Sequence, residues 1–175
     1  MRPATAQQRP LGFALLLLTG LLWSAPSAAL AAEAGPVFAV THAATDTTLV
    51  TANSDGHKLG DTRVVSLPTR DEAGAAGRLD SVLITTGIDA PGPGDEVRIG
   101  HLVFSFANQG DQIYVGGTAV YPAKGSTIKV ASSVARPILG GSGKYAGASG
   151  WCETEHLADG SWRHTFHLTG GKSAP

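Results

Sequence analysis

The sequence predicts an all-β protein, a single antiparallel meander of eight or nine short strands closed into a barrel. Three observations carry this. The part after residue 35 has almost no helical periodicity. Instead it shows short runs rich in Val, Ile, Thr, Tyr and Phe, the residues that fit a pleated, half-buried surface. Clusters of Gly, Pro, Asp and Asn interrupt those runs at regular, close intervals. Closure is expected because a long open meander leaves two edges able to pair with other chains.

The chain opens with a different kind of segment. Arg2 and Arg9 precede the apolar run LGFALLLLTGLLW at 11–23, and SAPSAALAAEA follows. A basic start, a short apolar core and an A-x-A-like site make a secretory signal peptide. The run is shorter than the roughly 20 residues a spanning helix needs. Cleavage is expected between 29 and 34, taken here after Ala31, giving a secreted or periplasmic protein with no membrane attachment. The leader is then 1–31, the barrel domain 36–170 and the tail 171–175. Cleavage removes Arg2 and Arg9 from 13 basic residues and none of the 14 acidic ones. The negative balance left gives no electrostatic reason to bind nucleic acid or an anionic membrane.

The expected strands are 36–43, 47–52, 61–68, 78–86, 97–107, 111–121, 127–139, 149–157 and 162–169. Between them lie NSDGHKLG, DEAGAAG, DAPGPGDE, NQGD, PAKG, a glycine stretch and ADGS. The glycine stretch, ILGGSGKYAG at 138–147, matches the dinucleotide fingerprint G-x-G-x-x-G/A at Gly141, Gly143 and Ala146. That fingerprint holds phosphate only at a helix N-terminus inside a βαβ unit. Here AGASG and the strand-like WCETEH follow, and the residue after Lys144 is Tyr145, not the Ser or Thr of a Walker loop. The stretch is read as a corner between strands, with Gly143 at φ > 0.

GGSGKYAGASG, followed by a strand and then TFHLTG, resembles the C-terminal part of the allene oxide cyclase / dirigent superfamily. LGDTRVVSLPTRDEAG, VLITT and HLVFSFANQGDQIYVGGTAVYP resemble its earlier strands, in the same order, so the similarity runs from about 37 to 170. The resemblance implies a calycin-like eight-stranded barrel, a trimer, and a cavity for an apolar molecule. The plant members cyclise an unsaturated epoxide or steer phenoxy-radical coupling without a cofactor. Their functional residues do not carry over. VFAVTH lacks the first-strand Glu, and the Asn and Cys positions fall at Leu67 and Ser81. The Tyr ahead of the corner falls in VASSVA, and the dirigent Arg at Ser149. The scaffold resembles the family, and its known chemistry is absent.

The last hairpin offers chemistry of its own. A two-residue loop at Asp159-Gly160 would pair Glu155 with His164, Glu153 with Phe166, Trp151 with Leu168 and Leu157 with Trp162. Five large apolar groups on that face mark it as the interior. Glu155, His164 and Glu153 are therefore the candidate catalytic groups, able to protonate an epoxide or carbonyl or to remove a proton. Trp151, Trp162 and Phe166 are the candidate ligand-binding residues. A structural Glu–His pair near the barrel mouth is the competing reading, and a three-residue turn would break the pairing.

Cys152 is the single cysteine, expected buried and inert because neither an oriented base nor an oxyanion site accompanies it. His164 and His167 point to opposite faces of one strand; with His42, His57 and His101 isolated, no metal site is expected. The strand RIGHLVFSFA is apolar on both faces, which a subunit interface would explain. The sequence thus points to a cofactor-independent cyclase or isomerase acting on an apolar polyene, epoxide or phenolic molecule. The alternative is a non-catalytic barrel that binds or orients such a ligand. In either case the partners are that small molecule and further copies of the chain.

Overall fold

A computed structural model of the chain describes residues 35–125 and 127–170. The leader and the tail expected at the two ends lie outside the described residues. Nine strands follow one another: β1 Val37–His42, β2 Thr48–Leu49, β3 Thr62–Asp71, β4 Ala76–Ile88, β5 Asp95–Ser105, β6 Gln112–Pro122, β7 Ser132–Ser142, β8 Ser149–His156 and β9 Trp162–Gly170. Each of the nine expected runs became a strand, with boundaries moved by up to five residues. Every neighbouring pair is antiparallel, from β2 through β3 in order to β9.

Closure comes from β1, which pairs along its length with β9 (Val37 opposite His167, His42 opposite Trp162). It also meets β3 at Val40–Asp71 and Thr41–Arg70. The other half of β3 pairs instead with β2, at Thr48–Val64 and Leu49–Arg63. β1 and β2 therefore share the eighth position of an eight-stranded barrel, separated by residues 43–47.

Alternation along the strands sends one set of side chains inward. At one end of the barrel this set is aromatic. Phe38 stacks on Phe166 at 5.0 Å between ring centroids, and Phe104 meets Phe166 edge-on at 5.0 Å. Phe106 and Tyr145 close that end at 4.6 Å. Such pairs contribute about 0.5–1.5 kcal/mol each beyond the area they bury. Ile113, Val115, Cys152 and Leu168 complete this apolar layer.

The glycine stretch turns β7 into β8 through one short 3-10 turn, Gly143–Tyr145. Gly143 takes φ +59°, and a Cβ there would run into the Asp111 side chain. Asp111 Oδ1 accepts the Lys144 amide at 2.9 Å. The amide that a phosphate loop would offer to its ligand is thus given to a carboxylate of the same chain, and a strand, not a helix, follows.

Candidate functional site

The inward side chains change character toward the end opposite the aromatic layer. A cavity of about 60 Å³, open at its mouth, lies there. His42 at the end of β1 and Thr45 and Thr47 of the connection to β2 line it, so it lies where the first strand is interrupted. Leu67, Leu79, Leu83, Leu102 and Trp162 give it apolar walls. Four polar groups face it from neighbouring strands: Tyr121 on β6, Arg136 on β7, Thr154 on β8 and His164 on β9.

Alternation places each of them. In VARPIL, Val134, Arg136 and Ile138 share the inward face, and Arg136 is 3% exposed. Its Nη2 donates to the Tyr121 hydroxyl at 2.8 Å, while its Nε has no hydrogen-bond partner among the described residues. Among the described residues no carboxylate forms an ion pair with it; another buried arginine, Arg98, has Glu96 at 2.9 Å. A cation buried without a counter-charge is costly. Trp162 Nε1 is a second buried donor without a partner among the described residues. Its ring is held between His156 at 4.2 Å and His42 at 5.8 Å, nearly parallel to both.

His164 is fully enclosed. Its Nδ1 lies 3.0 Å from Thr154 Oγ1 and its Nε2 lies 3.2 Å from His42 Nε2. Burial, with help from the neighbouring His42 and the Arg136 charge, pushes the His164 pKa well below its ordinary value. His42 is also lowered, chiefly by burial. Both imidazoles are therefore neutral near pH 7, where they can accept a proton.

A second polar layer supports this one. Glu96 is fully buried and accepts from Arg98 Nε at 3.0 Å, His57 Nδ1 at 2.8 Å, the Lys124 amide at 3.1 Å and Thr85 Oγ1 at 3.2 Å. Burial alone would raise this carboxyl; the bonds from His57, Lys124 and Arg98 outweigh it and leave the pKa below its ordinary value. With its acceptor positions taken, Glu96 is a structural anion. It holds Arg98 over the Tyr121 ring at 4.5 Å, and Tyr121 in turn meets Arg136.

The residues expected from the last hairpin divide between inside and outside. The loop between β8 and β9 has three residues, not two. The Gly160 amide bonds the Leu157 carbonyl at 3.0 Å, Gly160 takes φ +82°, and Leu157 pairs with Ser161. Asp159 fixes the turn by accepting from the Ser161 amide and hydroxyl. The extra residue shifts the register by one and turns β8 over relative to expectation. Glu155 now faces Arg163, Glu153 faces Thr165 and Trp151 faces His167, all on the outer surface. The Glu155–His164 pair therefore does not form; Thr154 stands opposite His164. Trp151 is 44% exposed and stacks on His167 at 4.6 Å, away from the cavity.

His164, Trp162 and Phe166 do point inward. His164 and Trp162 line the cavity, whereas Phe166 belongs to the aromatic layer beneath it. Cys152 is fully buried opposite Phe166, and burial pushes its thiol up to about 12. His42, Arg136 and Tyr121 lie outside the hairpin, and Thr154 is the hairpin member that the one-residue register step brought inward. Inward alternation of Arg136 between Val134 and Ile138 is the signal that marks the arginine.

No family model matches the chain, and no curated protein matches it. Among solved structures, that of a pyocyanin demethylase is similar to this chain, with a TM-score of 0.58 at 14% identity over 76% of this chain and 99% of that one. At that identity the similarity is one of fold, an eight-stranded barrel. The resemblance to allene oxide cyclases and dirigent proteins rests on the sequence motifs.

Proposed function

We propose that this protein is a small-molecule barrel of the cyclase or isomerase type, moving a proton on an apolar substrate held in the cavity without a cofactor. One observation carries the reading: a buried arginine with an unpartnered Nε faces the same apolar cavity as a histidine that burial keeps neutral. A fixed cation stabilises negative charge as it develops on a substrate oxygen. A neutral imidazole nearby takes or returns the proton. The same low-dielectric surroundings strengthen the first effect and maintain the second. Leu67 and Ser81, at the positions where the plant cyclases carry their Asn and Cys, also line this cavity. A barrel of the same fold bears the name of an enzyme that acts on a small molecule, pyocyanin demethylase, which is in keeping with this reading.

The test is a thermal-shift panel of small apolar molecules with and without a carbonyl or phenolic oxygen. Oxygen-bearing members should stabilise the barrel saturably and lose that effect in Arg136→Met. Stabilisation by oxygen-free members alone would favour the second reading, a barrel that merely binds apolar ligands.

Self-association into a trimer is proposed as well. A concave region of about 760 Å³ lies on the outside of the barrel, lined by Val64, Val82, Val103, Tyr114 and His101 among others. Val82 is 36% exposed. Sedimentation equilibrium of the processed chain should give three times the monomer mass, and a monomer at micromolar concentration would refute the trimer. Export by way of the 1–31 leader belongs to the same proposal.

A further inference from the structure

Hydrogen-bond polarity fixes where the protons lie in the cavity. His42 Nδ1 is 2.8 Å from the Ala43 carbonyl oxygen. A carbonyl only accepts, so Nδ1 carries the proton and, in the neutral ring, Nε2 is a lone pair. The contact at that lone pair is His164 Nε2 at 3.2 Å, which must therefore donate. His164 Nδ1 is then a lone pair too, and Thr154 Oγ1 at 3.0 Å donates to it. The three bonds run in one direction, from Thr154 through His164 and His42 to the Ala43 carbonyl. Thr154 and His164 face the cavity, and His42 is half-buried where residues 43–47 open it.

Arg136 and Trp162 both line this cavity, and Arg136 Nε and Trp162 Nε1 are buried donors without a partner among the described residues. They call for a ligand oxygen that accepts. A molecule that meets both demands has an acceptor oxygen and a removable proton close to it.

Resting on the reading above, we infer that the substrate is an apolar carbonyl compound with an acidic α-hydrogen, and that Thr154, His164 and His42 form the relay that removes and returns this proton. The α-carbon–hydrogen bond breaks, and its electron pair forms the carbon–carbon double bond of an enolate. The enolate oxygen lies against Arg136 and Trp162. The proton goes to Thr154 Oγ1 as the hydroxyl's own proton passes to His164 Nδ1, and the His164 Nε2 proton passes to His42 Nε2. Thr154 and His164 end neutral, and His42 ends as an imidazolium. The reverse sequence returns a proton to the same carbon, which is exchange, or to a conjugated one, which is isomerisation. No oxidant or reductant takes part.

Two measurements on the full barrel test this. Nitrogen NMR of protein labelled at histidine should show His42 protonated at Nδ1 and His164 at Nε2 at neutral pH. The opposite tautomer of either ring, or an imidazolium at His164, overturns the relay. The second uses the β,γ-unsaturated isomer of cyclohexenone as probe, in heavy water. Wild-type protein should accelerate α-deuteration and conjugation over buffer. Thr154→Val should lose this by at least about a hundredfold, the low end of what a positioned proton-transfer group contributes, while Thr154→Ser keeps most of it. Full activity in Thr154→Val overturns the relay and leaves the proposed function standing, with His164 acting directly. A wild-type protein that neither exchanges the probe nor is stabilised by any oxygen-bearing ligand removes both.

Discussion

The Nε2 atoms of His42 and His164 stand 3.2 Å apart inside the barrel, one ring at the mouth and the other fully enclosed. The pair can share one proton but resists a second. Both rings have folded pKa values lowered from 6.5. The unfolded chain therefore takes up protons that the folded one refuses. Stability is fully present above pH 6.5 and is lost as the pH falls from there toward the folded values. The slope approaches about 1.4 kcal/mol per pH unit for each histidine held neutral. Urea unfolding at a series of pH values should show this decline, and His164→Gln should flatten it. A stability independent of pH between 5 and 8 would contradict the neutral pair.

Arg136 has no carboxylate partner among the described residues, so its charge works against folding. Arg136→Met keeps most of the length and removes the charge, at the cost of the bond to Tyr121. Replacing a buried charge by an apolar group of similar volume is often neutral or stabilising. The variant should therefore unfold at the same or a higher denaturant concentration while losing affinity for oxygen-bearing ligands. The expected loss is roughly 1.5–3 kcal/mol, the range for a hydrogen bond to a charged group. A variant destabilised by more than about 2 kcal/mol would make Arg136 a structural residue instead.

Cys152 should be chemically silent. Its thiol is enclosed, and burial raises its pKa to about 12, so almost no thiolate exists at pH 8. A thiol reagent should leave the native barrel unmodified for hours and label it at once in denaturant. Prompt native labelling would show that the aromatic end of the barrel opens.

The barrel itself was legible because its signals are local. Punctuated β-runs give the strands, and the need to cover edges gives closure. The site was legible on one strand only. On β9 the alternation from Trp162 to Leu168 reads correctly, and it delivers His164 to the interior. On β8 one loop residue decides everything, because a strand's side-chain period is two. Asp159-Gly160 fits a two-residue turn, yet it also fits a type I turn followed by glycine in the left-handed region, and the side chain of Asp159 bonding Ser161 favours the longer form. Glu153 and Glu155 were exchanged for Cys152 and Thr154 by that single step. His42, Arg136 and Tyr121 come from strands far apart in sequence, and only closure of the barrel brings them to one cavity.

Carbonyl carbon NMR of an isotopically labelled enone, titrated into the wild-type barrel and into Arg136→Met, tests the central claim most directly. Contact with the Arg136 and Trp162 donors polarises the carbonyl. A bound signal downfield of the value in water is therefore predicted for the wild type, and its loss for the variant. A saturable signal unshifted from water, or one shifted equally in both proteins, would contradict the account.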